Sequence, residues 1–184
     1  MKKVNLILAV ISILITSCNS NYNFDKDFNC NVNTPNGLEE VIDFKNNFVI
    51  ELPKNWKTNL YYDDAVSSVY SADTTKTLTN SIILDASFVF NPINIDDSFI
   101  ERIKKENLKM KLIELKSKKI RFNKGEGYYN LTKGKQGKFD YHVLNIFSKA
   151  DRGFLHAKTE IYGDSLVNER ICTALKLIEK IHLK

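Results

Sequence analysis

The chain lacks every short pattern that commonly announces an enzyme. It has no nucleophile elbow, P-loop, dinucleotide-binding glycine fingerprint, H-E-x-x-H helix or EF-hand loop. Histidine is scarce, with His142, His156 and His182 the only three. His142 and His156 fall on neighbouring strands of an expected hairpin whose turn lies near residues 150–152. That turn pairs His142 with 159–162 and His156 with 145–148, so several residue pairs of about 3.4 Å each separate them. This spacing argues against a two-histidine metal site. The acidic doublets Asp63-Asp64 and Asp96-Asp97 are no better as a catalytic pair, since neighbours on a strand face opposite sides, and Asp96-Asp97 suits the positive end of a helix dipole. No catalytic residue, metal or cofactor is expected. No internal repeat is visible.

A spanning segment is also missing, because no apolar run reaches the roughly twenty residues a bilayer-crossing helix needs. What stands at the N-terminus is shorter. Lys2 and Lys3 precede an apolar stretch from Val4 to Ile15, broken only by Asn5 and Ser12, which closes on Ile15-Thr16-Ser17-Cys18. A basic start, an apolar centre of about 7–15 residues and small residues before a cut site describe a secretory signal. Thr16-Ser17-Cys18 fits an ordinary A-x-A-like cleavage site poorly. It resembles the lipobox of bacterial lipoproteins. The resemblance implies cleavage before Cys18, diacylglycerol on its thiol and an acylated amine, and two or three acyl chains make release from the membrane very slow. Asn19, where Asp would favour the inner membrane, implies an outer-membrane lipoprotein, its periplasmic face preferred over the cell surface.

With residues 1–17 removed, 167 residues remain, carrying a net charge of +3, enough for one domain with a real core. Once Cys18 carries lipid, Cys30 and Cys172 are left. An oxidising compartment permits a disulfide between them, and Cys172 lies off the apolar stripe of Val167, Ile171, Leu175 and Ile178; two unpaired thiols are the alternative. Residues 18–43 are rich in asparagine and contain the turn signal Asn33-Thr34-Pro35-Asn36-Gly37. They read as a flexible tether about 25–30 Å from end to end, which holds the domain near the bilayer without resting on it.

The single domain is expected over 44–184. Phe44, Phe48, Ile50 and Leu52 start a strand that stops at Pro53. Short strands follow at 58–62 and 66–71, then a polar loop at 73–80. The Ile-, Val- and Phe-rich run 81–90 reads as a central strand covered on both faces. Beyond Pro92, Ser98 and Glu101 have capping-box spacing for a helix over 98–109, with Phe99, Ile100 and Ile103 inward. Segments 112–122, 127–133, 139–148 and 154–162, separated by short polar breaks, predict an antiparallel meander. Gly163-Asp164 then opens an amphipathic helix over 165–182. Strands, helix, strands and helix in this order predict an α+β fold with helices flanking an antiparallel sheet. The strand running into Pro53-x-x-Trp56, the helix after Pro92, the meander and the closing helix resemble the PsbP/Mog1-like α/β/α sandwich over about 44–182. That resemblance implies a non-catalytic accessory role. Members attach to photosystem II or bind a small GTPase, but no binding residue here matches either group, and fold alone does not fix function.

One surface feature stands out. Between Glu101 and Lys138 thirteen Lys or Arg face four Glu, a net of +9. Lys116, Lys118, Lys119, Arg121 and Lys124 run through one strand, and Lys133, Lys135 and Lys138 cluster at a hairpin tip. They suit an acidic protein face or anionic envelope lipid, while nucleic acid does not fit this compartment; a solvated face that keeps an edge strand unpaired is the plainer use of the same charges. Aromatic doublets Tyr61-Tyr62 and Tyr128-Tyr129 place one ring on each sheet face, so one of each serves the core. The sequence thus predicts a monomeric, lipid-anchored, non-enzymatic binding protein of the cell envelope. A small-ligand or lipid carrier with a groove between sheet and helix is the alternative, and a hydrolase with a hidden site the third.

Overall fold

Two hydrophobic periods build the fold, and strand residues 153–162 show how. Gly153, Leu155, Ala157, Thr159 and Ile161 are buried on one face, while Phe154, His156, Lys158, Glu160 and Tyr162 are only partly covered on the other. That period of two is the signature of a sheet whose faces meet different surroundings. The computed structural model describes residues 22–184. In chain order the elements are α1 (Asp25–Phe28), β1 (Leu38–Ile42), β2 (Phe48–Pro53), β3 (Lys57–Tyr62), β4 (Val66–Ala72), a 3-10 turn (Leu78–Asn80) and β5 (Ile83–Val89). There follow α2 (Asp97–Lys109), β6 (Ile113–Phe122), β7 (Gly125–Gln136), β8 (Phe139–Ala150), β9 (Gly153–Tyr162), α3 (Val167–Ile178) and β10 (His182–Leu183).

The strands form a seven-stranded sheet, β3-β4-β5-β9-β8-β7-β6, and a three-stranded sheet, β1-β2-β10, antiparallel throughout. The small sheet and α3 cover one face of the large sheet, where Phe48, Ile50 and Leu52 meet Leu84, Leu155, Ile171, Leu175 and Ile178 in the main core. Among the described residues the other face carries α2 and the loop before it, which pack Ile95, Phe99 and Ile103 on Tyr128 and Phe147. The result is an α+β sandwich with helices on both sides of the large sheet. Among the described residues no helix is long and apolar enough to cross a membrane.

Several expectations need correction. Residues 22–43 are not a tether. Phe24 is 0% and Phe28 5% exposed, both inside the main core, and β1 pairs with β2 from Leu38↔Pro53 to Ile42↔Val49. Tyr22, Phe24, Phe28, Val32, Leu38 and Val41, dispersed among the asparagines, bury enough apolar area to offset ordering. The domain therefore reaches back to Tyr22 rather than starting at 44. Phe44 is exposed in a turn, not in a strand. The cap of α2 is Asp96, whose carboxylate accepts from the Phe99 amide at 3.0 Å, while Ser98 donates to Asp96 instead of closing a capping box. Helix α3 begins at Val167 behind Leu166 in a left-handed conformation and ends at Ile178, because residues 182–183 leave to pair with β2. Strand β5 is interior, but its second face bears Asp85 and Ser87 rather than core. Cys18 and residues 1–17 lie outside the described residues.

The disulfide is present. Cys30 and Cys172 are joined at an S–S distance of 2.10 Å across 142 residues, which pins the N-terminal segment onto α3.

Candidate functional site

The second face of the large sheet is where polar residues accumulate. Register sets the row: Asn130 on β7 lies opposite Asn145 on β8, Asn145 opposite Lys158 on β9, Lys158 opposite Asp85 on β5, and Asp85 opposite Tyr70 on β4. All five point to the face that the core leaves free. Lys158 forms an ion pair with Glu160 at 2.9 Å, and Ser87 donates to Asp85 at 2.7 Å. Burial opposes the charge on Lys158, yet the hydrogen bond to Glu160, with Glu160 and Asp85 nearby, outweighs it and raises its pKa. Tyr141, closing the row beside Glu160, is pushed well above the usual phenol range by burial first and then by that carboxylate.

Between this row and α2 runs a cleft of about 490 Å³. Phe99, Ile103, Met110 and Leu112 form its apolar wall, and Phe147 and Phe154 its floor. Tyr141, Asn145, His156, Lys158 and Glu160 line the polar side. The side-chain amide nitrogen of Asn107, 4% exposed and on the cleft wall, has no hydrogen-bond partner. The cavity is therefore amphipathic, with one greasy wall and one wall of paired charges and hydrogen-bonding groups. Its size and lining are those of a small-ligand site. The row is not visible in the sequence, because its members come from five strands. The one local signal was Asp85 and Ser87 inside an otherwise apolar strand.

His156 is part of this surface without being poised as a base. Its Nε2 lies 2.9 Å from Asn145 Oδ1, whose own amide donates to Asn130 Oδ1, so Nε2 carries the proton. The ring stacks on Phe147 at 4.4 Å. Burial, then nearby Lys158, lowers its pKa from 6.5 to about 4. His142 is buried and lowered in the same direction, by burial and Lys133. The two pair as the spacing required, His142↔Ile161 and His156↔Phe147. Ser87 lies directly opposite His156 in the register, but its hydroxyl hydrogen-bonds Asp85 and Ser68 and not the imidazole. Among the described residues no three His, Cys, Asp or Glu side chains gather as a metal site.

A pH dependence follows. A histidine whose folded pKa lies below its unfolded value binds fewer protons when folded, so stability rises with pH across roughly 4 to 6.5. The full shift is worth up to ~3 kcal/mol, and because the His156 ring keeps some exposure about 1–2 kcal/mol is expected. Stability against denaturant should thus fall from pH 7 to pH 4, and His156→Gln, which can keep the bond to Asn145, should flatten that slope. A slope unchanged in the variant would remove His156 as its source.

The predicted basic segment is largely spoken for. Strand β6 is the sheet edge, and the N-terminal segment lies along it. Lys116 donates to the Asp27 carbonyl and sits over Phe28, while Lys118 pairs with Asp27 at 3.3 Å and donates to Tyr22. Lys119 pairs with Asp97 at 2.7 Å and Lys135 with Asp140 at 3.3 Å. Asp27 also accepts from Tyr129 at 2.7 Å, and the hydrogen bond from Tyr22, followed by those of Tyr129 and Lys118, holds its pKa below the usual carboxylate value against some burial. Arg121 donates to the Lys124 carbonyl, and Lys124 stands on a different rim from Lys133 and Lys138. No continuous cationic face results.

No protein-family model matches this chain, and no curated protein matches its sequence. Its likeness is to solved structures. The solution structure of cyanobacterial PsbP (CyanoP) from Synechocystis sp. PCC 6803 superposes with a TM-score of 0.55 at 12% identity, covering 84% of this chain and 97% of that one. The Ran-binding protein Mog1p of Saccharomyces cerevisiae gives 0.50 at 10% identity, covering 79% and 95%. The chain adopts a PsbP/Mog1-like α+β sandwich, and identities this low speak to the fold alone.

Proposed function

We propose that this protein is a lipid-anchored, non-enzymatic binding protein of the cell envelope, acylated at Cys18, and that it binds through the cleft between α2 and the large sheet. The observation that carries the binding reading is the amphipathic cavity of about 490 Å³, apolar along Phe99, Ile103 and Met110 and polar along His156, Lys158 and Glu160. The lipobox-like Ile15-Thr16-Ser17-Cys18 supports the anchor, and outer-membrane attachment follows from Asn19. A non-enzymatic role is supported by the engaged state of the polar groups: Ser87 donates to a carboxylate and His156 Nε2 to an amide oxygen, so neither is paired as nucleophile and base. The cleft also favours a second reading, a carrier of an amphipathic small molecule or lipid, since its volume falls in the range of ligand pockets.

In-cell photocrosslinking tests the reading. A crosslinker placed at Met110, 58% exposed on the cleft wall, should capture a discrete adduct that one at Lys138 does not. A shifted protein band would name an accessory role, and a lipid-sized mass increment a carrier. Cys18→Ala should abolish labelling by a fatty-acid analogue and deplete the adduct. Equal capture at both positions would remove the cleft as the binding site, and unchanged labelling would remove the anchor.

A further inference from the structure

The described chain enters the domain at one particular rim. The Tyr22 amide donates to the Arg121 carbonyl at 3.2 Å, and by Asp27 the segment has reached Lys116, so it runs back along β6 away from the β6–β7 turn. Cys18 precedes Tyr22 by four residues. Whatever their conformation, four links of about 3.8 Å span at most ~15 Å. We propose that this rim of the large sheet, holding the β6–β7 and β8–β9 turns, rests on a bilayer surface of anionic headgroups, held there by the short link to the acyl chains. The inference rests on the acylation of Cys18 proposed above.

The chemistry of the rim suits that contact. Lys124, Lys149, Arg152 and Lys184 line a single depression there with Asn47 and Asn123, and Arg121 hydrogen-bonds into the same turn. The β1–β2 and β3–β4 turns lie at the same end: Lys45 donates to the Asp63 carbonyl, and the Phe90 amide, just past β5 and beside the β8–β9 turn, donates to the Ala65 carbonyl. They bring an exposed, stacked aromatic pair, Phe44 and Tyr62, with ring centroids 3.8 Å apart. Aromatic rings beside cations are what a headgroup layer accommodates. Acids are present too: Glu126 and Asp151 near the basic turns, Asp63 and Asp64 beside the aromatic pair. Around the depression the cations still exceed the acids. The opposite rim is itself rich in lysine, with Lys54, Lys76, Lys111, Lys135 and Lys138, so charge alone does not choose an end. The link does: surface charges act within about 10 Å at ordinary salt, and only the rim beside Tyr22 is kept near that range.

The test uses the full acylated protein, purified from envelopes and reconstituted in vesicles of phosphatidylethanolamine and phosphatidylglycerol carrying a headgroup spin label. A fluorophore is attached through Asp151→Cys on the proposed rim or Gln136→Cys on the opposite one. Quenching should be severalfold stronger at 151 than at 136. It should fall when Lys124, Arg152 and Lys184 are changed to Glu, provided the unfolding midpoint is unchanged, and when phosphatidylcholine replaces phosphatidylglycerol. A long Gly-Ser insertion between Asn21 and Tyr22 should bring the two labels towards equality. Equal quenching at both positions in protein whose intact mass shows the acyl chains overturns the docking and leaves the anchor standing. An intact mass without acyl chains overturns both.

Discussion

Cys30→Ala should lower the unfolding free energy by about 5 kcal/mol, the chain-entropy value for a bridge closing a loop well beyond a hundred residues. The bond closes 142 residues, nearly the whole folded chain. Loss of the cross-link frees the unfolded ensemble to expand, which favours unfolding even where the native contacts survive. Changing Cys30 rather than Cys172 keeps the test clean. Cys172 is 1% exposed within the main core, so truncating it would add a cavity cost, whereas Cys30 is only partly buried against that core. Denaturant unfolding of the native protein with and without reductant should reproduce the difference between native and variant, and the variant should ignore reductant. Coincident curves for oxidised and reduced protein would show that the bridge contributes nothing. A domain of this size has a total stability of about 5–15 kcal/mol, so the reduced protein should stand close to its unfolding threshold.

The meander was legible in the sequence because each of its strands carries its own period and its own turn. Leu155, Ala157 and Ile161 alternate with His156, Lys158 and Glu160, and the break at 151–152 fixed the register well enough to place both histidines within a residue or two. The sheet-and-helix order was legible for the same reason. The polar row was not. Tyr70, Asp85, Asn145 and Lys158 are far apart along the chain, and each alone looks like the polar half of an amphipathic strand. Only register turns them into a surface, and only the position of α2 turns part of it into a cleft. The N-terminal segment was misread for a different reason. Phe24 and Phe28 are isolated among asparagines and aspartates, and they are buried by partners contributed from β6, β7 and α3. The same partnership hid the fate of the basic strand: Lys118 looks free in sequence, but its counterion Asp27 arrives from ninety-one residues upstream.

That segment is the element on which both stability and the proposed orientation turn, and Phe24 is its anchor. The ring is 0% exposed and meets Tyr22, Phe28, Phe122 and Tyr129, with centroids 5.1–6.4 Å away. Phe24→Ala removes this packing and leaves a cavity, at an expected cost of about 3–5 kcal/mol. Neighbours share the loss. Asp27 accepts from Tyr129, a buried phenol that would keep an unmet donor if the segment lifted away. The disulfide at Cys30 limits how far the segment can move, so Phe24→Ala and Cys30→Ala should not be additive. With the bridge intact, the variant should open locally: faster exchange of the Tyr22 amide and proteolytic cutting between Tyr22 and Cys30, ahead of global unfolding. Opening also lengthens the link to Cys18, so in vesicles the labels at positions 151 and 136 should converge in this variant. A variant with native stability and native Tyr22 exchange would show that the segment is not held through Phe24.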